Sequence, residues 1–181
     1  MVNSIKPEGV DGMLIVDVQN ALSSQSNPQH EVELISGAQL SEWANLAYSQ
    51  VSDKPNEVTI RLVDEGEITQ LNRDYRGKDK PTNVLSFPVE SDFDFIDQFE
   101  GDAGFNLLGD VIICHSVIVK EAKEQSKKVL DHYAHMVVHG ILHLCGYDHQ
   151  DEQEAEKMET LEVRILAVKQ IANPYIAQEN A

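Results

Sequence analysis

The sequence is short of cysteine and of long apolar runs. It has two cysteines among 181 residues, which excludes a disulfide framework and fits a reducing cytoplasm. No apolar run approaches the about 20 residues that a membrane-spanning helix needs, and the first residues contain no apolar signal-peptide region. We therefore expect a cytoplasmic protein that does not associate with a membrane.

Basic residues are also scarce. There are 14 Lys and Arg against 31 Asp and Glu, so the formal net charge is -17. This balance argues against indiscriminate binding of polyanions, because basic patches provide most nonspecific affinity for nucleic acid. Exposed charges are screened beyond about 8 Å at physiological salt, so a local basic segment can still act. The best candidate is residues 73–80, which form either one wall of a binding groove or an ordinary solvated turn.

The pattern of apolar residues predicts one domain over residues 1–181. Alternating segments predict strands, and apolar residues at helical spacing predict helices. The predicted strands cover residues 13–18, 58–63, 83–87 and 108–114, and the predicted helices cover 36–51, 64–75, 116–127, 130–145 and 151–171, with Ser36 and Ser116 as caps. We expect an α+β fold in which a small mixed sheet packs against several helices, with a central histidine-bearing helix. The termini, residues 1–12 and 173–181, are expected to be flexible.

Three histidines near the end of the chain carry the most chemical information. His139 and His143 are four residues apart, which places both side chains on one face of a helix. Gly146 can then end the helix with a positive φ and turn the chain back, which brings His149 toward the first two rings. Three imidazoles without a fourth protein ligand are typical of a catalytic zinc site rather than a structural one.

Other side chains compete for the same metal. His135 and His139 are also four apart, but His135 lies about 12 Å of helix rise from His143, so one ion cannot bind all three. Only the pair at 139 and 143 is followed by a returning third histidine, which leaves His135 as a core or outer-shell residue. Cys145 lies on another helix face and is predicted to pack in the core. Asp148 either orients an imidazole or is a solvated turn carboxylate.

The histidine spacing matches the metzincin protease pattern except at Gly140. Those proteases carry a glutamate base at this position, and glycine cannot accept a proton, so we discount peptide hydrolysis. A phosphodiester is the better substrate, because the metal can supply the nucleophile and a nearby cation can stabilise the transition state. Arg61 is the candidate cation, since it faces away from the core on its strand and its planar guanidinium group can donate two hydrogen bonds to phosphate oxygens. The alternative is an ion pair between Arg61 and a surface carboxylate.

Taken together, these residues resemble the YbeY endoribonuclease family over roughly residues 13–170. The resemblance rests on three long segments in order: YRGKDKPTNVLSFP at 75–88, LGDVIIC at 108–114 and HGILHLCGYDH at 139–149. It implies a zinc-dependent endoribonuclease for single-stranded RNA, acting in 16S ribosomal RNA 3′-end maturation and in ribosome quality control. It implies one Zn²⁺ ion per chain on His139, His143 and His149, and a functional arginine at Arg61.

The resemblance also implies partners. Besides ribosomal RNA, these are the ribosome or small-subunit proteins and an assembly GTPase. Two other functions stay open at this point. One is a ribosome-assembly factor whose zinc is chiefly structural, and the other is a zinc hydrolase of a different substrate.

Overall fold

The fold is seen in a computed structural model, which describes residues 14–22, 35–89 and 106–176. The predicted alternation of strands and helices is confirmed, with the ends of elements shifted by a few residues. In chain order the elements are β1 (Leu14–Asn20), α1 (Gly37–Tyr48), β2 (Asn56–Val63), α2 (Glu65–Arg76), β3 (Val84–Pro88), β4 (Asn106–Cys114), α3 (His115–Glu124), α4 (Val129–Leu144) and α5 (Glu152–Val168).

The four strands form one mixed sheet with the order β1-β2-β4-β3. Strands β1, β2 and β4 are parallel, and β3 pairs antiparallel with β4 at the edge. This arrangement confirms the predicted α+β class with a small mixed sheet. In the described part of the chain, no helix combines the length and apolar character that a membrane crossing requires.

The two faces of the sheet bury different helices. Neighbouring residues of a strand point to opposite faces. Val111 belongs to the larger core, which also contains the apolar residues of α1, α4 and α5. Ile112 belongs to a smaller core beneath α2. The histidine-bearing helix α4 and helix α2 therefore cover opposite faces, and α4 is central, as expected.

Helix α4 comes very close to the sheet at Gly140. A Cβ atom at this position would lie 2.6 Å from Val111 Cγ1 and 3.3 Å from Ser86 Oγ. A side chain longer than hydrogen would overlap with a stiff β-branched neighbour. Close packing between helix and sheet is thus the physical reason that glycine occupies the position of the protease base.

Helix capping was predicted correctly in one case and wrongly in another. Ser36 caps α1 through a capping box with Gln39, as predicted. Helix α3 begins at His115 with Cys114 as the N-cap, which makes no side-chain cap bond. The Ser116 hydroxyl instead donates to Glu65 Oε1, 2.9 Å away. The cap at Ser116 is therefore wrong, because a tertiary partner takes the hydroxyl.

The C-terminal segment after α5 also differs from expectation. Residues 173–176, predicted to be flexible, pack against the body of the protein. Lys127 Nζ donates to the Pro174 carbonyl oxygen at 2.7 Å, and Tyr175 reaches the histidine-bearing helix. The sequence also predicts an exposed loop for the acidic segment 90–102. This segment, residues 1–12 and His30 lie outside the described residues.

Candidate metal centre

The three predicted histidines meet where α4 ends. The Nε2 atoms of His139 and His143 lie 3.1 Å apart. The ring of His149 lies with its centroid 5.0 Å from that of His143 and 5.9 Å from that of His139. One ring nitrogen from each histidine lies within 4.8 Å of the others. Gly146 has a φ of 92°, so the chain turns back after α4 in the way the sequence predicts.

The donor set of this group suits a zinc ion. With Zn–N bonds of about 2.0–2.1 Å, two nitrogens on one tetrahedral zinc are separated by about 3.4 Å. The 3.1 Å separation of the two Nε2 atoms is close to this value. In residues 14–22, 35–89 and 106–176, no fourth His, Cys, Asp or Glu joins the three histidines. Such a set resembles catalytic rather than structural zinc sites.

A buried carboxylate from α5 contacts one of the three histidines. Glu162 is fully buried, and its Oε1 lies 2.6 Å from His139 Nδ1. Its Oε2 lies 3.2 Å from His135 Nε2 and accepts a hydrogen bond from the Tyr175 hydroxyl. Burial acts to raise the pKa of Glu162, but the hydrogen bonds from His135, His139 and Tyr175 outweigh it and lower that pKa to about 2.

Sequence reasoning missed Glu162, although a signal was present. This glutamate lies four residues after Met158 and three before Ile165, both of which are buried on the apolar stripe of α5. A charged residue on an apolar stripe requires a partner, because an unpaired buried charge is costly. The sequence does not say which partner it has.

The rival histidine pair forms a second group of possible ligands. Atoms of His135, His139 and Glu162 also lie within 4.8 Å of one another. This group uses Nδ1 of His139, whereas the three-histidine group uses Nε2. Burial lowers the pKa of His135, which favours a neutral ring. The buried position of His135 beside Glu162 agrees with the prediction of a core or outer-shell residue.

Two residues next to the histidines, Cys145 and Asp148, make contacts of their own. Cys145 packs against the larger core, as expected. Asp148 Oδ1 accepts a hydrogen bond from the backbone N–H of His149 at 2.7 Å, which matches the alternative of a turn carboxylate.

His143 has its pKa lowered to about 4, first by burial and then by the charges of His139 and His149. Its ring is therefore neutral at pH 7, which is the form that binds metals.

The histidines open into a cleft of about 650 Å³. Strand β3 forms one wall, and the turn after α4 forms another. Phe87 and Tyr147 line the cleft, so two aromatic side chains lie beside the histidines. The Phe87 ring also packs edge-on against Tyr75, with centroids 5.0 Å apart. The cleft thus combines groups that could hold a metal ion with half-buried aromatic side chains.

Only one of the four cations in the basic segment lines this cleft. Arg76, at the end of α2, is among the lining residues. Arg73 instead pairs with Asp74 at 3.4 Å and Asp79 at 3.7 Å. Lys78 and Lys80 are exposed but do not line the cleft. The basic wall predicted from residues 73–80 is therefore reduced to Arg76.

Arg61 is not brought together with the histidines. It lies opposite Ile112 in the β2–β4 register, so it emerges on the face covered by α2. Its Nε donates to Glu67 Oε1 at 2.8 Å, and its guanidinium also donates to Gln19 Oε1 at 3.1 Å. It does not line the cleft. Arg61 thus forms the ion pair that the sequence analysis gave as the alternative. Because side chains alternate along β2, the Arg61 side chain points away from the larger core and therefore also away from α4.

Comparisons with known proteins identify a family model, a related sequence and a related structure. A family model described as Endoribonuclease YbeY matches residues 23–170. An Endoribonuclease YbeY from Alteromonas mediterranea is 52% identical over 169 residues, covering 91% of this chain and 98% of the relative. The solution structure of TM1509 from Thermotoga maritima is 24% identical, has a TM-score of 0.50 and covers 93% of this chain and 97% of its own, which supports the fold alone. Because the family model spans most of the sequence and the relative shares half of its residues, the chain belongs to the YbeY endoribonuclease family.

Proposed function

We propose that this chain is a zinc-dependent endoribonuclease for single-stranded RNA, and that it acts in 16S ribosomal RNA 3′-end maturation and ribosome quality control. Family membership supports an RNA substrate. The observation that carries the proposal is the convergence of three imidazole nitrogens at a cleft. The ribosome or small-subunit proteins and an assembly GTPase belong to the proposal as partners, and the cytoplasm as its location.

Different residues of the cleft would have different roles in such a reaction. His139, His143 and His149 would hold one zinc ion. A bound zinc ion supplies a water with its pKa lowered toward about 7 and positive charge for the phosphodiester. Arg76 can bind a phosphate at the rim. Phe87 and Tyr147 can stack on bases, which is sequence-tolerant and suits single strands.

Arg61 enters the proposal from the family resemblance, as the cation that stabilises developing charge. Its guanidinium is hydrogen-bonded to Glu67 and Gln19. The role therefore requires Arg61 to exchange these partners for an RNA phosphate. The variant Arg61→Ala tests this directly, because a cation that contacts the transition state is worth about 100-fold or more in rate.

Cleavage of single-stranded RNA by highly purified protein tests the proposed activity. We expect the wild type to cut, and His149→Ala to lose both bound zinc and cleavage, because it lacks one of the three imidazoles. Arg61→Ala should retain zinc but cut about 100-fold more slowly. Zinc content and product ends are measured on the same preparations. A 2′,3′-cyclic phosphate end would identify the ribose 2′-hydroxyl as the nucleophile.

The same assay decides between the proposal and an assembly factor with a chiefly structural zinc. The net charge of -17 and the absence of a base at Gly140 favour this second function. If wild type and variants all cut RNA equally slowly, a contaminating nuclease is responsible and the assembly role is favoured. A panel of esters and peptides tests for a zinc hydrolase of another substrate.

The position of Arg76 gives a prediction about RNA affinity. We expect Arg76→Gln to weaken RNA binding and to reduce the dependence of log affinity on log salt by about 0.7, the value for one phosphate contact on a single strand. The matched control is the double variant Lys78→Gln and Lys80→Gln, which removes more charge outside the cleft. The measurement is a salt titration of binding to a short RNA. A double variant that changes the slope more than Arg76→Gln would contradict this placement and favour a wider basic wall.

A further inference from the structure

We infer that Glu162, secured by Tyr175, is a positioning residue that sets the proton and the orientation of His139 for metal binding. The inference rests on the proposed zinc site and adds two residues to it. Neither belongs to the three-histidine group or to the lining of the cleft. Glu162 comes from α5, and Tyr175 from the segment that follows it.

The first contact fixes the tautomer of His139. Glu162 Oε1 lies 2.6 Å from His139 Nδ1. A carboxylate that accepts this bond holds the ring proton on Nδ1 and leaves the Nε2 lone pair free. That Nε2 atom faces His143 Nε2 at 3.1 Å. The contact of Glu162 with Nδ1 therefore leaves Nε2, on the opposite side of the His139 ring, as the nitrogen that a metal would use.

The second carboxylate oxygen prevents Glu162 from turning. Its Oε2 faces His135 Nε2 at 3.2 Å and accepts a hydrogen bond from the Tyr175 hydroxyl. His135 Nδ1 is buried and has no hydrogen-bond partner within the described ranges. A buried N–H without a partner is costly, so the proton of His135 is favoured on Nε2, where it faces the carboxylate. Both oxygens of Glu162 are thus engaged.

The end of the chain supports this arrangement. The Tyr175 ring packs edge-on against the His135 ring, with centroids 5.4 Å apart. Lys127 holds the preceding residue through the Pro174 carbonyl oxygen. The segment 173–176 therefore brings a hydroxyl to a carboxylate that no solvent reaches. Loss of this hydroxyl should loosen Glu162 and, through it, His139.

Zinc affinity separates positioning from a purely structural role. The variants are Glu162→Gln and Tyr175→Phe, and the matched control is Glu156→Gln, an exposed glutamate on the same helix. Zinc dissociation constants are measured on the full chain by competition with a chromophoric chelator. Thermal unfolding in excess EDTA reports the stability of the metal-free protein. Cobalt(II) absorption of the loaded proteins reports the coordination geometry.

We expect Glu162→Gln to lose about 10–100-fold in zinc affinity, the usual cost of removing an outer-shell partner. Tyr175→Phe should lose less, with an altered cobalt spectrum, and Glu156→Gln should match the wild type. Wild-type zinc affinity in both test variants, with a lower melting temperature in EDTA, would overturn the inference and leave a structural role. If Glu162→Gln does not fold, Tyr175→Phe decides in the same way. If the wild type itself binds no zinc, the proposed function fails together with the inference. If the wild type binds zinc and both test variants bind it equally well, only the inference fails.

Discussion

Replacing His139 or His143 with alanine should abolish the binding of one zinc ion per chain. Each residue supplies one of three imidazole nitrogens that lie within 4.8 Å of one another. Loss of an outer-shell partner costs about 10–100-fold in metal affinity, so loss of a direct ligand should cost more. Zinc at roughly 1,000 times its dissociation constant would stabilise the folded wild type by about 4.1 kcal/mol. The variants should lose this gain.

Metal analysis after dialysis and thermal unfolding with and without zinc measure these effects. The matched control is His132→Gln, on the same helix. His132 is buried and its Nε2 lies 2.7 Å from Glu121 Oε2, away from the three-histidine group. This control should be less stable than the wild type but should keep zinc-induced stabilisation. Retention of tight zinc binding by both His139→Ala and His143→Ala would show that the ligands lie elsewhere.

Introducing the protease base as Gly140→Glu should prevent folding rather than create a peptidase. The first side-chain atom alone would lie 2.6 Å from Val111 Cγ1. A glutamate would therefore force a large charged side chain into the closely packed contact between α4 and the sheet, which is among the costliest substitutions in a core. We expect loss of the cooperative unfolding transition, measured by circular dichroism and denaturant titration.

Two alanine variants make this test quantitative. Gly140→Ala should cost about 1–3 kcal/mol from overpacking, offset by up to about 1 kcal/mol of helix propensity. The control is Gly66→Ala in α2, where the nearest neighbour of a Cβ atom is Asp64 Oδ1 at 3.4 Å. That variant should gain up to about 1 kcal/mol. A stable, peptide-cleaving Gly140→Glu variant would refute the packing explanation for the missing base.

Local spacing was enough to predict part of the site. The interval between His139 and His143 and the positive φ of Gly146 depend only on helix geometry and on the chain that follows. The same is true of the Ser36 cap, whose partner Gln39 is three residues away. Such features could be predicted because the interacting residues are neighbours in sequence.

The contacts of Arg61 could not be predicted from local spacing. Alternation correctly predicted that its side chain faces away from Ile60 and Leu62, but it did not say which helix covers that face. The β1-β2-β4-β3 order and the packing of α2 decide that Arg61 meets Glu67 rather than the histidines. Ser116 failed in the same way, because its partner Glu65 is 51 residues distant.

The sequence by itself determined the α+β class, the histidine-bearing helix and the approach of three imidazoles, since these follow from periodicity and short-range geometry. Only the tertiary structure decided that Glu162 and Tyr175 stand behind His139, that Arg76 lines the cleft and that Gly140 touches the sheet. Periodicity reveals which side of an element is apolar, whereas the partner of a buried polar group depends on how distant segments pack together.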